Sequence, residues 1–198
     1  MKILTTAIAL ALTPLVSDAM VLIQVTEQSG DVIFNVNGTL DLTGAVGPNS
    51  TLTVGTPSIS PSNGNLQSVA SPSGDNDRYG LISAPSDFGT GGLGVPDSVN
   101  VTTNWISLRN GRLFVPAGYT SLSPINFTMT FNDTTISALG IGNATEYQWT
   151  LASGDTITLS AIPEPSTYIA GLGFLAMGFL VWRRRKQKKL TTAPPAAA

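Results

Sequence analysis

Apolar and polar residues alternate along much of the chain. Val21–Thr26 and Val32–Val36 place Val21, Ile23 and Val25, then Val32, Phe34 and Val36, on every second position. A period of two predicts half-buried β-strands, and the five residues Glu27–Asp31 between these runs predict a hairpin loop. Thr39–Thr43 alternates in the same way. Leu52–Val54, Leu66–Ala70 and Tyr79–Ser83 read as shorter strands inside a stretch, 57–97, dense in Ser, Pro, Gly and Asn. Order then resumes. Val99–Leu108 and Leu113–Val115 flank Asn110-Gly111, a strong two-residue hairpin signal. Ile125–Phe131, Thr135–Leu139, Glu146–Ala152 and Thr156–Ala161 follow, the last pair turning at Ser153-Gly154-Asp155. Short strands with a turn about every ten residues predict an all-β domain, an antiparallel β-sandwich or jelly roll. No fixed-period repeat is present, which argues against a solenoid. The expected core is Phe34, Val36, Trp105, Phe114, Phe127, Met129, Phe131, Leu139, Tyr147, Trp149, Ile157 and Leu159.

The alternation fails at both ends. Ile3 to Val16 are uncharged and mostly apolar after Lys2, and Ser17-Asp18-Ala19 offers small residues for a cut before Met20. This is a secretory signal pattern, so residues 1–19 are set aside as a signal peptide, for which the Sec translocon and signal peptidase are the partners. Near the other end, residues 166–182 are 17 uncharged residues bounded by Trp182. A bilayer core of about 30 Å needs about 20 helical residues, with about 17 as the lower limit. The large apolar side chains of this run supply roughly −3 kcal/mol on the insertion scale, which makes it a short but usable transmembrane helix. Arg183, Arg184, Arg185, Lys186, Lys188 and Lys189 follow at once and are expected to hold that end in the cytoplasm as a membrane stop. Residues 190–198 are then a disordered cytoplasmic tail, and 20–161 the exported domain.

Charge sharpens this division. The net charge of −2 hides segregation, since six of the ten basic residues lie within 183–189. Between Met20 and Ala161 stand ten acidic residues against Arg78, Arg109 and Arg112, a balance of −7. Such a surface repels phosphate backbones, so nucleic acid is not an expected partner. The chain has no Cys and no His, which removes disulfides, thiolate and imidazole ligands, and every nucleophile–His relay. No metal site and no cofactor is expected.

Between the domain and the apolar run stands Pro163-Glu164-Pro165. A stop-transfer anchor does not require it. Two prolines fix φ and remove two N–H donors, which keeps the backbone around Glu164 extended and offers a rigid, singly charged handle. The order Pro-Glu-Pro-Ser-Thr, apolar helix, Arg cluster (residues 162–189) resembles the PEP-CTERM sorting signal of exported bacterial proteins. That resemblance implies an exosortase, a membrane protease or transpeptidase, as the partner. It makes Pro163, Glu164 and Pro165 the recognition element, Arg183–Lys186 the stop, and the inner membrane a transient anchor before release to the cell surface or matrix. Family tails usually end soon after the arginines, whereas LTTAPPAAA continues here. Residues 112–165 are also similar to the exported part of one PEP-CTERM subgroup, with LFVPAGY, a TF strand and YQWT; DVIFNVNGTLDLTG (31–44) resembles its opening hairpin.

For the exported domain a structural or adhesive role leads, and no enzyme activity is expected. Asp75-Asn76-Asp77 resembles the start of a calcium loop, but Ser86 stands where an EF-hand needs Glu, so a turn is expected. Glu27 and Glu146 are the material for a glycosidase pair, with nothing to bring them together. Trp105, Tyr119, Tyr147 and Trp149 supply the alternative, stacking surfaces for a carbohydrate such as an extracellular polysaccharide, although aromatics at that spacing are more often core. Thr-x-Thr at 51–53, 128–130 and 156–158 matches ice-binding faces only in part, because the regular repeat is missing. Asn37, Asn49, Asn100, Asn126, Asn132 and Asn143 head Asn-x-Ser/Thr sequons.

Overall fold

The computed structural model describes residues 19–49, 53–69, 75–142 and 146–162. The expected signal peptide up to residue 18, the sorting motif from Pro163 onward, the expected membrane segment 166–182, Arg183–Lys186 and the expected tail lie outside the described residues.

The domain is all-β, in two sheets. β1 (Met20–Gln28) and β2 (Asp31–Gly38) form the first hairpin, and β9 (Ile125–Phe131), β6 (Ser98–Val101), β10 (Tyr147–Thr150) and β11 (Thr156–Ile162) complete a six-stranded sheet of order β10-β11-β1-β2-β9-β6. β3 (Ser58–Ser60), β4 (Asn65–Gln67), β7 (Ser107–Arg109), β8 (Arg112–Pro116) and β5 (Asn76–Gly80) make a five-stranded sheet of order β3-β4-β7-β8-β5. Both sheets bury one face in a single core, where Val21, Ile23, Val25, Phe34, Phe127 and Leu159 of one meet Ile59, Leu66, Leu108, Leu113 and Val115 of the other. The period-two pattern works as expected: inward residues of β1 are fully buried, while Leu22, Gln24 and Thr26 face out.

The two sheets cross. At one side of the five-stranded sheet, Gly94 bridges Ile59 of β3 and lies against Leu139 and Phe131. At the other side, Ser83 beyond β5 bridges Thr150, and Tyr119 beyond β8 accepts the Leu40 N–H at 3.4 Å. The order β3 to β5 therefore runs along the length of the larger sheet's strands, from the Phe131 end to the end that holds Met20 and Thr150.

Four sequence expectations change. One pairing is not antiparallel: β11 lies parallel to β1, with Met20 opposite Thr156 and Thr26 opposite Ile162. Thr39–Thr43 is not a strand. Leu40 and Leu42 still point inward, but side chains take the successive backbone donors. Leu40 N–H goes to the Tyr119 hydroxyl, Asp41 N–H to Asp155 Oδ2, Leu42 N–H to Ser121 Oγ and Thr43 N–H to Asp41 Oδ1. Thr135–Leu139 is also not a strand, since Leu139 N–H returns to the Thr135 carbonyl at 3.0 Å and Ala138 N–H to Thr135 Oγ1 at 3.0 Å. Val99–Leu108 splits into β6 and β7, one in each sheet. The expected hairpins at 27–31 and 110–111 both form, and each uses a two-residue turn with positive φ: 57° and 90° at Ser29-Gly30, 51° and 65° at Asn110-Gly111. Of the expected core, Trp105, Leu139 and Tyr147 are only partly buried; the other nine are buried.

Candidate functional site

β11 is the strand from which the chain leaves the domain. Ile157 and Leu159 anchor it in the core; β1 pairs with it from Thr156 to Ile162 and β10 only from Thr156 to Leu159. Its last paired residue is Ile162, opposite Thr26. Pro163 is next in sequence and has no N–H to give a ladder, so the pairing has a chemical reason to stop there. No linker residue separates the last residue of this central strand from the Pro-Glu-Pro triplet. The carboxylates near this end of the sheet cap loop backbone: Glu27 accepts the Ile136 N–H at 3.2 Å, Asp31 that of Asp133 at 3.0 Å and Asp97 that of Asn132 at 2.8 Å.

The outward face of the same sheet is the second feature. Across the sheet, register places Ser160, Gln24, Asn35, Thr128 and Asn100 in one row, and Gln148, Thr158, Leu22, Asn37 and Asn126 in the next. A third row holds Ile162, Thr26, Ile33, Thr130 and Ser98. Amides and hydroxyls dominate, and no position in these rows carries a charge. The sequence contained this signal, since the outward partner of every buried residue in these strands can be read by alternation. Three of the sequon asparagines, Asn37, Asn100 and Asn126, stand on this face, and Asn37 pairs directly with Asn126. Asn132 follows β9, Asn49 bridges Arg78, and Asn143 lies outside the described residues.

The remaining candidates separate. Trp149 is buried and packs edge-on to Phe88 at 6.3 Å, and Tyr147 meets the same ring at 6.2 Å, so this pair closes the core. Tyr119 is a brace, its hydroxyl donating to the Ser123 carbonyl at 2.7 Å; burial raises its pKa above the ordinary 10.0, against the lowering effect of the Leu40 N–H. Burial likewise raises Tyr79, with Asp77 adding to the effect. The Thr43 hydrogen bonds lower Asp41 below the ordinary carboxylate value. Asp75-Asn76-Asp77 enters β5 instead of forming a closed turn, and Asp77 accepts the Gly118 N–H at 2.9 Å. Glu27 lies far from Glu146. Tyr147, next to Glu146, registers through Leu159 with Ile23, two strands away and four residues before Glu27. Two strand spacings and that offset exceed the roughly 5–9.5 Å of glycosidase carboxylates. Thr128 and Thr130 on β9 are separated from Thr156 and Thr158 on β11 by β1 and β2, so no stacked threonine ladder forms; Thr51 is outside the described residues.

A family model, the PEP-CTERM protein-sorting motif, matches residues 161–186. No curated protein and no solved structure matches the chain. Such a motif implies an exported protein that an exosortase recognises and processes, anchored in the membrane by its C-terminal end beforehand. The chain carries a PEP-CTERM protein-sorting motif, and the first two residues of that motif, Ala161 and Ile162, are the last two of the central strand β11.

Proposed function

We propose that the chain is secreted through the Sec route with loss of residues 1–19, held in the inner membrane by 166–182 with Arg183–Lys189 inside, and processed at its Pro163-Glu164-Pro165 handle. The β-domain then serves at the cell surface or in the extracellular matrix as a structural or adhesive component without catalysis. The observation that carries the sorting half is the motif match beginning inside β11. With no linker residue in the sequence, the handle starts next to the last paired residue, Ile162, so a membrane enzyme meets a singly charged segment beside a domain that need not unfold.

The adhesive half draws support from the outward rows of the six-stranded sheet. A broad surface of amides and hydroxyls without charge makes many weak, exchangeable hydrogen bonds to a hydroxylated polymer and does not repel an acidic one. Carbohydrate recognition by aromatic stacking has less support, because Trp149 is internal and Tyr119 is committed to Ser123 and Leu40.

The test is expression of the whole chain in a host with an exosortase, comparing wild type with Glu164→Gln by intact mass and fractionation. Wild type is expected to lose its C-terminal segment and reach the surface or medium, and Glu164→Gln to accumulate at full length in the inner membrane. Identical processing of the two would overturn the sorting assignment.

A further inference from the structure

The exported domain holds three basic residues, and the fold collects all of them on one face. In the five-stranded sheet Arg109 is the register partner of Arg112 on either side of the Asn110-Gly111 turn, and Arg78 is the partner of Phe114 one strand over. Directly opposed residues of an antiparallel pair point to the same side, and like charges placed so destabilise the pair. In a domain with a balance of −7, acidic partners are plentiful, yet among the described residues none of the three guanidiniums has one. The Arg78 Nε is buried and has no hydrogen-bond partner. Arg109 and Arg112 are exposed. Around them lies an open pocket of about 420 Å³ lined by Thr53, Arg109, Asn110, Arg112 and Phe114. Phe114 is 4% exposed and stands apart from the main core, as an apolar wall on the outer side of its sheet.

We infer that this pocket binds the carboxylate of an acidic polysaccharide, a uronic-acid residue, with Arg109 and Arg112 on the anion and only the edge of the buried Phe114 ring at the pocket wall. A guanidinium fork pairs with a carboxylate through two parallel N–H···O bonds, a geometry lysine lacks. The Thr53 hydroxyl and the Asn110 amide supply neutral partners for ring hydroxyls, and the volume is in the range of small-molecule sites. A bound carboxylate also removes the repulsion that the hairpin otherwise carries. An anionic lipid headgroup has the same charge chemistry. The position of the pocket favours the polymer: it lies on the outer face of the five-stranded sheet, on β7 and β8, whereas the chain departs for the sorting motif from the other sheet, at Ile162. That choice between polymer and lipid rests on the proposed membrane attachment; the anion site itself does not.

The test is calorimetric titration of the purified full-length chain in detergent with oligogalacturonate, with the same oligomer after reduction of its carboxyl groups to alcohols, and with vesicles of phosphatidylglycerol. Oligogalacturonate is expected to bind, to weaken at least tenfold between 50 and 500 mM salt, and to lose at least tenfold in affinity in Arg109→Gln/Arg112→Gln. The reduced oligomer and the vesicles are expected not to bind. Arg109→Lys/Arg112→Lys, which keeps the charge, is expected to lose part of the affinity, and Arg112→Gln alone to leave the thermal midpoint unchanged or raised. Equal binding of the neutral oligomer, binding that survives the double glutamine substitution, or preference for the vesicles would each overturn the proposal. None of these outcomes alters the Glu164→Gln comparison, so the two ideas fail separately.

Discussion

Thr26 and Ile162 are the final partners of a parallel ladder whose first partners are Met20 and Thr156. Six residue steps at about 3.3 Å each put Met20 and Ile162 about 20 Å apart along the strand direction, at opposite ends of one ladder. The strand that carries the exit is thus clamped along its whole length, and its hold depends on two fully buried side chains, Ile157 and Leu159. Leu159→Ala is expected to cost roughly 2–5 kcal/mol, read as a lowered urea midpoint. Gln24→Ala, on β1 and facing out, is expected to stay within about 0.5 kcal/mol of wild type. Similar midpoints for the two variants would contradict the assigned inward and outward faces.

Gly38 ends the neighbouring antiparallel ladder of β1 with β2, opposite Val21 near Met20. Its φ is 140°, and a Cβ there would sit 2.0 Å from the Met20 carbonyl oxygen. Gly30, in the first hairpin turn, also has positive φ, 90°, but open space around it. Gly38→Ala is therefore expected to destabilise clearly more than Gly30→Ala, which meets only the φ penalty of about 1 kcal/mol. Thermal unfolding of both variants under one condition decides the order.

How much of this was legible beforehand follows from what each residue signals by itself. Val21, Ile23, Phe34, Phe127 and Leu159 reported their burial through alternation, and Asn110-Gly111 reported its turn through its tolerance of positive φ. Leu40 and Leu42 reported burial correctly but misreported strand, because the partners of that backbone, Tyr119, Ser121 and Asp155, are about eighty or more residues away. The parallel pairing of β1 with β11 was hidden for the same reason: alternation gives a face, never a neighbour. Arg109 and Arg112 looked like two dispersed charges until register set them opposite one another. The sorting signal needed no tertiary information, since Pro163-Glu164-Pro165, an apolar run and a basic cluster are local in sequence.

Tyr119 makes stability depend on alkaline pH. Burial holds its phenol protonated beyond the ordinary 10.0. The unfolded chain releases that proton first, so the native advantage is complete below about pH 10 and declines as pH rises through the folded value. Tyr119→Phe removes the bond to the Ser123 carbonyl, expected to cost about 1 kcal/mol at pH 7.5, and also removes this group's share of the alkaline decline. The urea midpoints of wild type and variant should therefore converge between pH 7.5 and 10.5. Tyr79, raised by burial in the same direction, keeps part of the slope in both proteins. A gap that stays constant with pH would count against the assignment.

Trp149 separates a core role from a ligand platform. It is 1% exposed, sits on β10 beside β11, and meets Phe88, itself fully buried, at 6.3 Å with rings 67° apart. An edge-to-face pair of this kind adds about 0.5–1.5 kcal/mol to the burial of the rings. Trp149→Ala is expected to lose roughly 3–5 kcal/mol, a large share of the about 5–15 kcal/mol that holds a domain folded, whereas Trp149→Phe keeps a ring against Phe88 and is expected to show a smaller fall in midpoint. Acrylamide quenching gives the complementary reading. Trp105 is partly exposed and should be quenched in the native protein, while Trp149 is shielded until unfolding. Comparing the quenching slope of Trp149→Phe with that of wild type isolates the shielded component. A slope that falls when Trp149 is replaced would place the indole in solvent and reopen the case for a stacking surface on β10.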